Sequence, residues 1–255
     1  MQTNIKLVYF SPTYTTRKIL RAIAVGTGLS ATELDLTPID AQTNLIFSPE
    51  DLVVIGMPAY GGRVPAVALK RMTDIQGNGA AAVLVVTYGN RDYDDVLLEL
   101  KDMCAEKGFR VIAASAFVTE HCIVPIIAYG RPNQSDEETA RDFGAQIMAK
   151  LESRKPDSDI AVKGNHPYRE HTSLPLRPYG TSKCNACGTC VKHCPMAAIP
   201  KDTPRKTDKE ACVVCTRCIH ICPRKARRFS PVHSFMAAQM LKKKCVGEKQ
   251  PELII

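Results

Sequence analysis

The chain has 255 residues, of which 45% are hydrophobic and 24% charged, with 15 Gly, 17 Pro, 11 Cys and no Trp. These proportions are typical of globular proteins and exclude the disordered and fibrous classes. The formal net charge of +8, taken alone, would suggest a polyanionic partner such as nucleic acid or an acidic membrane.

Five short apolar runs in the first part of the chain predict β-strands, over residues 5–10, 32–36, 52–57, 80–87 and 109–117. Apolar residues at helical spacing predict helices over 65–72, 92–107 and 137–151, the last capped by Ser135 and Asp136. Parallel strands need crossover connections, so this alternation favours an α/β fold with a doubly wound, five-stranded parallel sheet. The motif GxGxxA at residues 26–31 ends a helix rather than beginning one, and we interpret it as a turn.

Three loops follow the first, third and fourth predicted strands, at the edge where such sheets bind ligands. The first offers hydroxyls and backbone N–H groups at a helix N-terminus, which suits a phosphate, although simple N-capping is an alternative. The other two combine an aromatic residue with glycine, so that the backbone can approach a flat ring closely, although surface turns would look the same. The loop residues are Ser11, Thr13, Tyr14, Thr15 and Thr16, then Pro58, Ala59, Tyr60, Gly61 and Gly62, then Thr87, Tyr88, Gly89 and Asn90.

On these loops, residues 1–153 resemble a flavodoxin-like domain, which implies FMN as a cofactor. The resemblance implies that the Ser and Thr residues of the first loop hold the phosphate and that Tyr60 and Tyr88 flank the isoalloxazine ring. It also implies backbone and amide contacts from Gly61, Gly62, Gly89 and Asn90. The chain departs from the family at Tyr14, where glycine is usual. The departure matters for FMN binding, because a positive φ at this position is unfavourable for tyrosine.

The cysteines and the positive charge are concentrated in the second part. Residues 1–153 carry 14 Lys and Arg against 18 Asp and Glu, whereas residues 154–255 carry 20 against 8 and nine of the 11 Cys. No apolar run approaches the roughly 20 residues of a membrane-spanning helix, and no signal peptide is evident. We therefore expect a cytoplasmic protein, in which many cysteines indicate metal binding or catalysis more than disulfides.

Eight of these cysteines form two copies of the motif CxxCxxCxxxCP, which begin 28 residues apart. In two-cluster ferredoxins the first three cysteines of a copy bind one [4Fe–4S] cluster and the fourth binds the other. Zinc sites need only pairs of CxxC, and disulfides conflict with a reducing compartment. The motif therefore predicts one cluster on Cys184, Cys187, Cys190 and Cys222, and a second on Cys212, Cys215, Cys218 and Cys194.

Residues 181–230 resemble a bacterial-type two-cluster ferredoxin, a small α+β domain. The whole chain is similar to flavodoxin–ferredoxin fusion proteins of anaerobes. The predicted organisation is an FMN-binding domain over 1–153, a connector over 154–180 that runs across the surface, the cluster domain over 181–230, and a basic C-terminal tail over 231–255 with a helix at 233–244.

The resemblance implies an electron carrier in which two clusters exchange single electrons with FMN and a redox partner. The alternatives are an FMN-dependent reductase of a small acceptor and a redox-sensing module whose flavodoxin-like domain is empty. No residue stands out as a catalytic acid or base, whereas Cys122 is a further candidate for contact with the flavin. A basic patch suggests that the partner is acidic, with a solvated face as the alternative, and no recognition fold for nucleic acid is present. The patch consists of Arg205, Lys206, Arg217, Arg224, Lys225, Arg227 and Arg228.

Overall fold

The computed structural model describes residues 4–153, 159–171 and 175–255. Five parallel strands form the centre of its large sheet: β1 (Asn4–Tyr9), β2 (Ser30–Asp35), β3 (Leu52–Pro58), β4 (Ala81–Tyr88) and β5 (Arg110–Val118). Their spatial order is β2-β1-β3-β4-β5, which is the flavodoxin-like order of doubly wound sheets. The predicted fold class is therefore confirmed.

Helices cover both faces of this sheet, and each pair encloses its own apolar core. On one face α1 (Thr15–Thr27) and α4 (Gln134–Glu152) pack against the sheet, and on the other face α2 (Ala66–Arg71) and α3 (Val96–Glu106) do so. The strands in the middle are apolar on both sides because both faces are buried. Gly26 lies where α1 meets α4, since a Cβ there would be 1.9 Å from the carbonyl oxygen of Arg141. Gly28 ends α1 with φ of 70°, as expected for a turn.

The start of α4 corrects one prediction. The cap is Asn133 rather than Ser135 or Asp136: the Asn133 side chain accepts a hydrogen bond from the Asp136 backbone N–H at 3.1 Å. The Asp136 carboxylate accepts the Asn133 backbone N–H at 2.8 Å in return. Asp136 is therefore the third residue of a reciprocal capping box, which stabilises the helix start from inside the first turn.

The C-terminal part is a small module of short elements followed by one longer helix. Strand β6 (Tyr179–Gly180) pairs with β7 (Arg227–Arg228), and between them lie the single-turn helices α5 (Thr189–Lys192) and α6 (Arg217–His220). Helix α7 (Pro231–Lys244) follows and begins at a proline, two residues before the predicted start. Among the described residues, no helix is both long and apolar enough to cross a membrane.

The last strand returns to the large sheet, which the sequence did not predict. Strand β8 (Glu252–Ile254) pairs antiparallel with residues 114–116 of β5 and becomes the sixth strand. The fold is thus a five-stranded parallel sheet with one short antiparallel addition at its edge.

The described part of the predicted connector, residues 159–171, lies along α3. Lys101 of α3 donates to the Asp159 carboxylate and to the Ile160 carbonyl, both at 2.7 Å. Further along, the backbone N–H groups of Asn165 and Arg169 donate to the Asp95 carboxylate at 3.0 and 2.8 Å. Residues 154–158 and 172–174 of the connector lie outside the described residues.

Candidate cofactor sites

Two cavities in the small module are each lined by four cysteines. The first is lined by Cys184, Cys187, Cys190 and Cys222. The second is lined by Cys194, Cys212, Cys215 and Cys218. In each cavity three thiols come from one copy of the motif and the fourth from the other copy, which is the crossed grouping of two-cluster ferredoxins.

The backbone around the cavities repeats with the same interval of 28 residues. Left-handed conformations occur in three pairs at this interval, at Ala186 and Val214, at Gly188 and Thr216, and at Ala197 and Lys225. A positive φ is strained for residues that carry a side chain, and such strain persists only where the surroundings impose it. Here the chain must turn around each cavity so that successive thiols line it.

The donors around the thiols fit an iron–sulfur cluster. The backbone N–H of Ala198 donates to Cys194 Sγ at 3.3 Å, and that of Ala226 donates to Cys222 Sγ at 3.2 Å. Hydrogen bonds to cysteine sulfur are among the features by which a protein tunes an iron–sulfur cluster. In the parts of the chain that the structure describes, no three His, Cys, Asp or Glu side chains converge on a single metal ion. Four thiols line each cavity, and four cysteine ligands are what a [4Fe–4S] cluster takes.

Arg227 is a buried cation beside both cavities. It is 2% exposed, and its Nη atoms donate to the carbonyl oxygens of Pro204 and Pro178 at 2.5 and 2.9 Å. Its Nε has no hydrogen-bond partner among the described residues. Burial raises the pKa of the Cys190 thiol and raises the pKa of Cys218 to about 11, and the Arg227 charge opposes both shifts. An unpartnered buried donor at this position fits the sulfur atoms of a cluster.

The first loop of the flavodoxin-like domain keeps several donors free. The backbone N–H groups of Thr13, Thr15 and Thr16 have no partner among the described residues. The Thr13 and Thr15 hydroxyls are partly accessible and lie within hydrogen-bond distance of each other, at 3.3 Å. These groups fit a phosphate at the start of α1. Ser11 and Thr16 are buried: Ser11 Oγ accepts a backbone N–H of α1, and the Thr16 hydroxyl bonds that of Thr87 at 2.7 Å. Their side chains therefore help to hold the loop, and their contact with a phosphate stays a prediction.

Tyr14 joins the first loop to the cluster module. Its φ is 65°, the left-handed conformation that a glycine adopts without strain. Its ring lies 5.7 Å from the ring of His220, and the Arg217 guanidinium lies over it at 4.9 Å. Arg217 is 6% exposed and donates to the Pro12 carbonyl at 3.2 Å. The side chain that replaces the usual glycine thus packs against α6. Since Arg217 and Arg227 are buried, neither belongs to the predicted basic surface patch.

The second loop is a tight turn close to the second cavity. Backbone hydrogen bonds join Tyr60 and Arg63 in both directions, at 3.0 and 3.2 Å. Tyr60 is half-buried; burial raises the pKa of its hydroxyl, and the nearby Cys215 thiol adds to this shift. Gly62 has a φ of 85°, which favours glycine, and a Cβ there would lie 2.1 Å from the Asp94 carboxylate. The role of Tyr60 beside a flavin ring stays a prediction.

The aromatic residue of the third loop is buried. The Tyr88 ring is 3% exposed, packs edge-on against Tyr93 at 5.4 Å and lies 5.9 Å from the Lys249 ammonium. Burial raises the pKa of its hydroxyl to about 12. Protein therefore covers this ring in the structure, and the role of Tyr88 beside a flavin stays a prediction. Gly89 accommodates His121, since a Cβ there would lie 2.5 Å from the His121 ring.

Asn90 is the residue of the third loop that fits a ligand. Its φ is 61°, it is 6% exposed, and its Oδ1 has no hydrogen-bond partner among the described residues. A buried acceptor without a donor is rare in folded proteins. The isoalloxazine ring of FMN carries an imide N–H that would supply the missing donor.

The second cavity lies on the side of the module that meets these loops. Thr216 follows Cys215, which lines this cavity, and hydrogen-bonds the Cys122 thiol. Burial raises the pKa of Cys122 to about 11, and the bond from Thr216 opposes that shift. Arg71 of α2 donates to the carbonyl oxygen of Pro195 at 2.6 Å. In the first cavity, by contrast, Cys187 is exposed.

Comparison with known proteins finds matches in two parts of the chain. A family model for a 4Fe-4S binding domain (Fer4) matches residues 178–199, which hold the first copy of the motif. No curated protein matches the sequence.

Solved structures similar to the chain cover its flavodoxin-like part. They include an archaeal flavodoxin at 13% identity and TM-score 0.40, covering 58% of this chain and 99% of its own. A WrbA-like flavodoxin from Agrobacterium tumefaciens has 18% identity and TM-score 0.40, covering 60% and 99%. Rubredoxin oxygen:oxidoreductase from Desulfovibrio gigas has 13% identity and TM-score 0.41, covering 59% of this chain and 36% of its own. At these values the fold assignment rests on the strand order.

Proposed function

We propose that this chain, a flavodoxin-like domain followed by a 4Fe–4S binding domain, is an electron-transfer protein that holds two [4Fe–4S] clusters and one FMN. It passes single electrons between the clusters and the flavin and on to a redox partner. The observation that carries the proposal is the pair of cavities, each lined by a crossed set of four cysteines. Eight thiols that must stay reduced favour a reducing compartment such as the cytoplasm.

Separate sets of residues bind the flavin and the clusters. The free N–H groups of the first loop and the hydroxyls of Thr13 and Thr15 bind the FMN phosphate, and Asn90 binds the ring. The eight cysteines hold the clusters, and Arg227 and the backbone N–H donors offset the charge of the thiolates. Bound FMN exchanges one or two electrons and each cluster exchanges one, so the chemistry belongs to the cofactors.

The two cluster sites have different roles in this proposal. The second cavity is the inner site, because the module contacts the first loop through Arg217 and contacts Cys122 through Thr216. The first cavity is the outer site, because its ligand Cys187 is exposed to solvent. A partner therefore exchanges electrons at the first site, and the flavin does so at the second.

Anaerobic purification followed by iron, sulfide and flavin analysis tests the proposal. We expect about eight iron and eight sulfide atoms per chain, as two cubanes require, together with about one FMN. Four irons would contradict the second cluster, and zinc in place of iron would contradict both. Iron without flavin would favour the redox-sensing alternative, in which the flavodoxin-like domain is empty.

We propose that the partner is an acidic protein that docks over the first cavity. Arg205, Arg224 and Lys225 are exposed there; Arg224 lines the cavity, and Arg205 donates to the Cys184 carbonyl at 3.1 Å. The sequence contains no Asp or Glu between residues 211 and 247. Basic residues around a redox centre steer an acidic partner toward it and orient it.

Charge reversal at this surface should slow electron transfer from an acidic donor. In the double variant Arg224→Glu/Lys225→Glu, we expect the second-order rate with a reduced acidic flavodoxin to fall roughly fivefold or more at low ionic strength. The difference should shrink as salt is added. Stopped-flow absorbance measures the rate. Lys6→Glu in β1 makes a charge reversal away from the cavity and should leave the rate nearly unchanged. Equal rates in the double variant and wild type would refute this docking site.

A further inference from the structure

Residues 245–254 run back from α7 across the third loop of the flavodoxin-like domain. Cys245 Sγ lies 3.7 Å from the Gly89 carbonyl oxygen, and the Gly247 carbonyl accepts a hydrogen bond from Asn90 Nδ2 at 2.9 Å. Lys249 then donates to the Arg91 carbonyl. Three successive residues of the third loop are therefore in contact with this C-terminal segment, although some 157 positions separate Asn90 from Gly247 in sequence.

The segment is held in place by contacts on both of its sides. Arg131 Nη1 donates to the Lys249 carbonyl at 2.8 Å, and Arg131 is itself paired with the buried Asp136. The Tyr93 hydroxyl donates to the Glu252 carboxylate at 2.6 Å. Strand β8 then pairs with β5. Since the segment is fixed from Gly247 to Ile254, it presents a fixed carbonyl to Asn90.

The contact with Gly247 decides which way the Asn90 amide points. A backbone carbonyl only accepts hydrogen bonds, so Asn90 must direct its NH2 group toward Gly247. Its Oδ1 is then on the opposite side of the amide, where it is buried and has no partner among the described residues. The C-terminal segment thus uses the donor of Asn90 and leaves its acceptor free.

We infer that the C-terminal segment, residues 245–254, is part of the flavin site and positions Asn90 so that its Oδ1 accepts a hydrogen bond from the imide N–H of the bound ring. The inference rests on the proposed binding of FMN. Asn90 contacts the cofactor, whereas the segment acts through Asn90 as a positioning element. A segment that follows the cluster module in sequence thereby completes a site of the flavodoxin-like domain.

Flavin binding with and without the imide hydrogen tests this inference. The probes are FMN and 3-methyl-FMN, in which a methyl group replaces that hydrogen, and dissociation constants follow from quenching of flavin fluorescence. The wild-type protein should bind FMN at least about tenfold more tightly than 3-methyl-FMN. Asn90→Gly, which keeps the positive φ and removes the amide, should bind the two flavins almost equally.

A chain that ends at Lys244 should lose the same preference even though it keeps Asn90. Adding the peptide of residues 245–255 should restore the preference. Lys249→Met is a milder variant that removes the bond to Arg91, and it should reduce the preference as well. It tests the inference even if the shortened chain does not fold. Lys243→Met, at an exposed position of α7, is the matched control and should behave as wild type.

The outcomes separate this inference from the function on which it rests. If the wild-type protein binds FMN but the shortened chain and Lys249→Met keep the full preference, the segment does not position Asn90 and the inference is wrong. If wild type binds both flavins equally, the hydrogen bond to Oδ1 is absent and the inference is also wrong. If wild type binds no FMN, the proposed flavin function itself fails, and the inference fails with it.

Discussion

Replacing Cys212 and Cys222 together by alanine should remove all cluster iron, whereas replacing Cys184 and Cys222 together should leave about four irons per chain. The reason is the crossed lining of the cavities, in which Cys222 belongs with Cys184 and not with Cys212. The first pair of replacements removes one cysteine ligand from each cluster site. The second pair removes two ligands from the same site and leaves the other site complete. Iron and sulfide analysis with low-temperature EPR measures the difference.

The same double variants distinguish the crossed arrangement from a local one. If each copy of the motif held its own cluster, Cys212→Ala/Cys222→Ala would keep four irons and Cys184→Ala/Cys222→Ala would lose all of them, which is the reverse result. Cys104→Ala is the control, because this thiol lies on the buried face of α3 and lines neither cavity. It should keep the full iron content.

Replacing Arg227 by glutamine should lower the midpoint potentials of the clusters by up to about 170 mV. Reduction adds an electron to a buried site, and a buried cation beside that site stabilises the reduced form. Two unit charges 4 Å apart attract by roughly 4 kcal/mol at an effective dielectric constant of 20. A one-electron potential changes by about 59 mV for each 1.4 kcal/mol. An EPR-monitored redox titration measures the shift.

Two further variants separate the charge of Arg227 from its packing. Arg227→Lys keeps the charge but loses the forked donation to Pro204 and Pro178, so the potentials should fall by less than in Arg227→Gln. Arg228→Gln removes an exposed charge one residue away and should change the potentials little, because solvent screens it. Equal small shifts in Arg227→Gln and Arg228→Gln would show that the buried cation does not set the potentials.

Much of the architecture could be predicted from local sequence. The central strands are continuous apolar runs because both faces of the sheet are covered, and the cysteine motif fixes its own geometry through spacing. Strand β8 was missed because it has only three residues and no repeating pattern. The cap of α4 was misplaced because Asn133, Ser135 and Asp136 all favour helix starts, and the choice among them depends on the capping box.

The site was predicted less completely because burial of a polar side chain depends on residues far away in sequence. Arg217 was assigned to a surface patch, yet its partner is the carbonyl of Pro12, 205 positions earlier. The ring of Tyr88 is covered by Tyr93 and Lys249, and the second of these lies far along the chain. The burial of Arg227 could have been predicted from the repeat, because the residue 28 positions earlier is Ile199, an apolar residue that lines the second cavity.

The position of β8 affects how the protein is made. The cluster module lies between two strands of the same sheet, so the ribosome synthesises the entire module before residues 252–254 can pair with β5. At typical elongation rates, the apolar edge of β5 stays unpaired for roughly ten seconds on each nascent chain. An unpaired strand edge can pair with other chains and aggregate. A flavodoxin-like domain expressed alone would keep that edge permanently, and it is therefore a poor substitute for the whole chain in solution work.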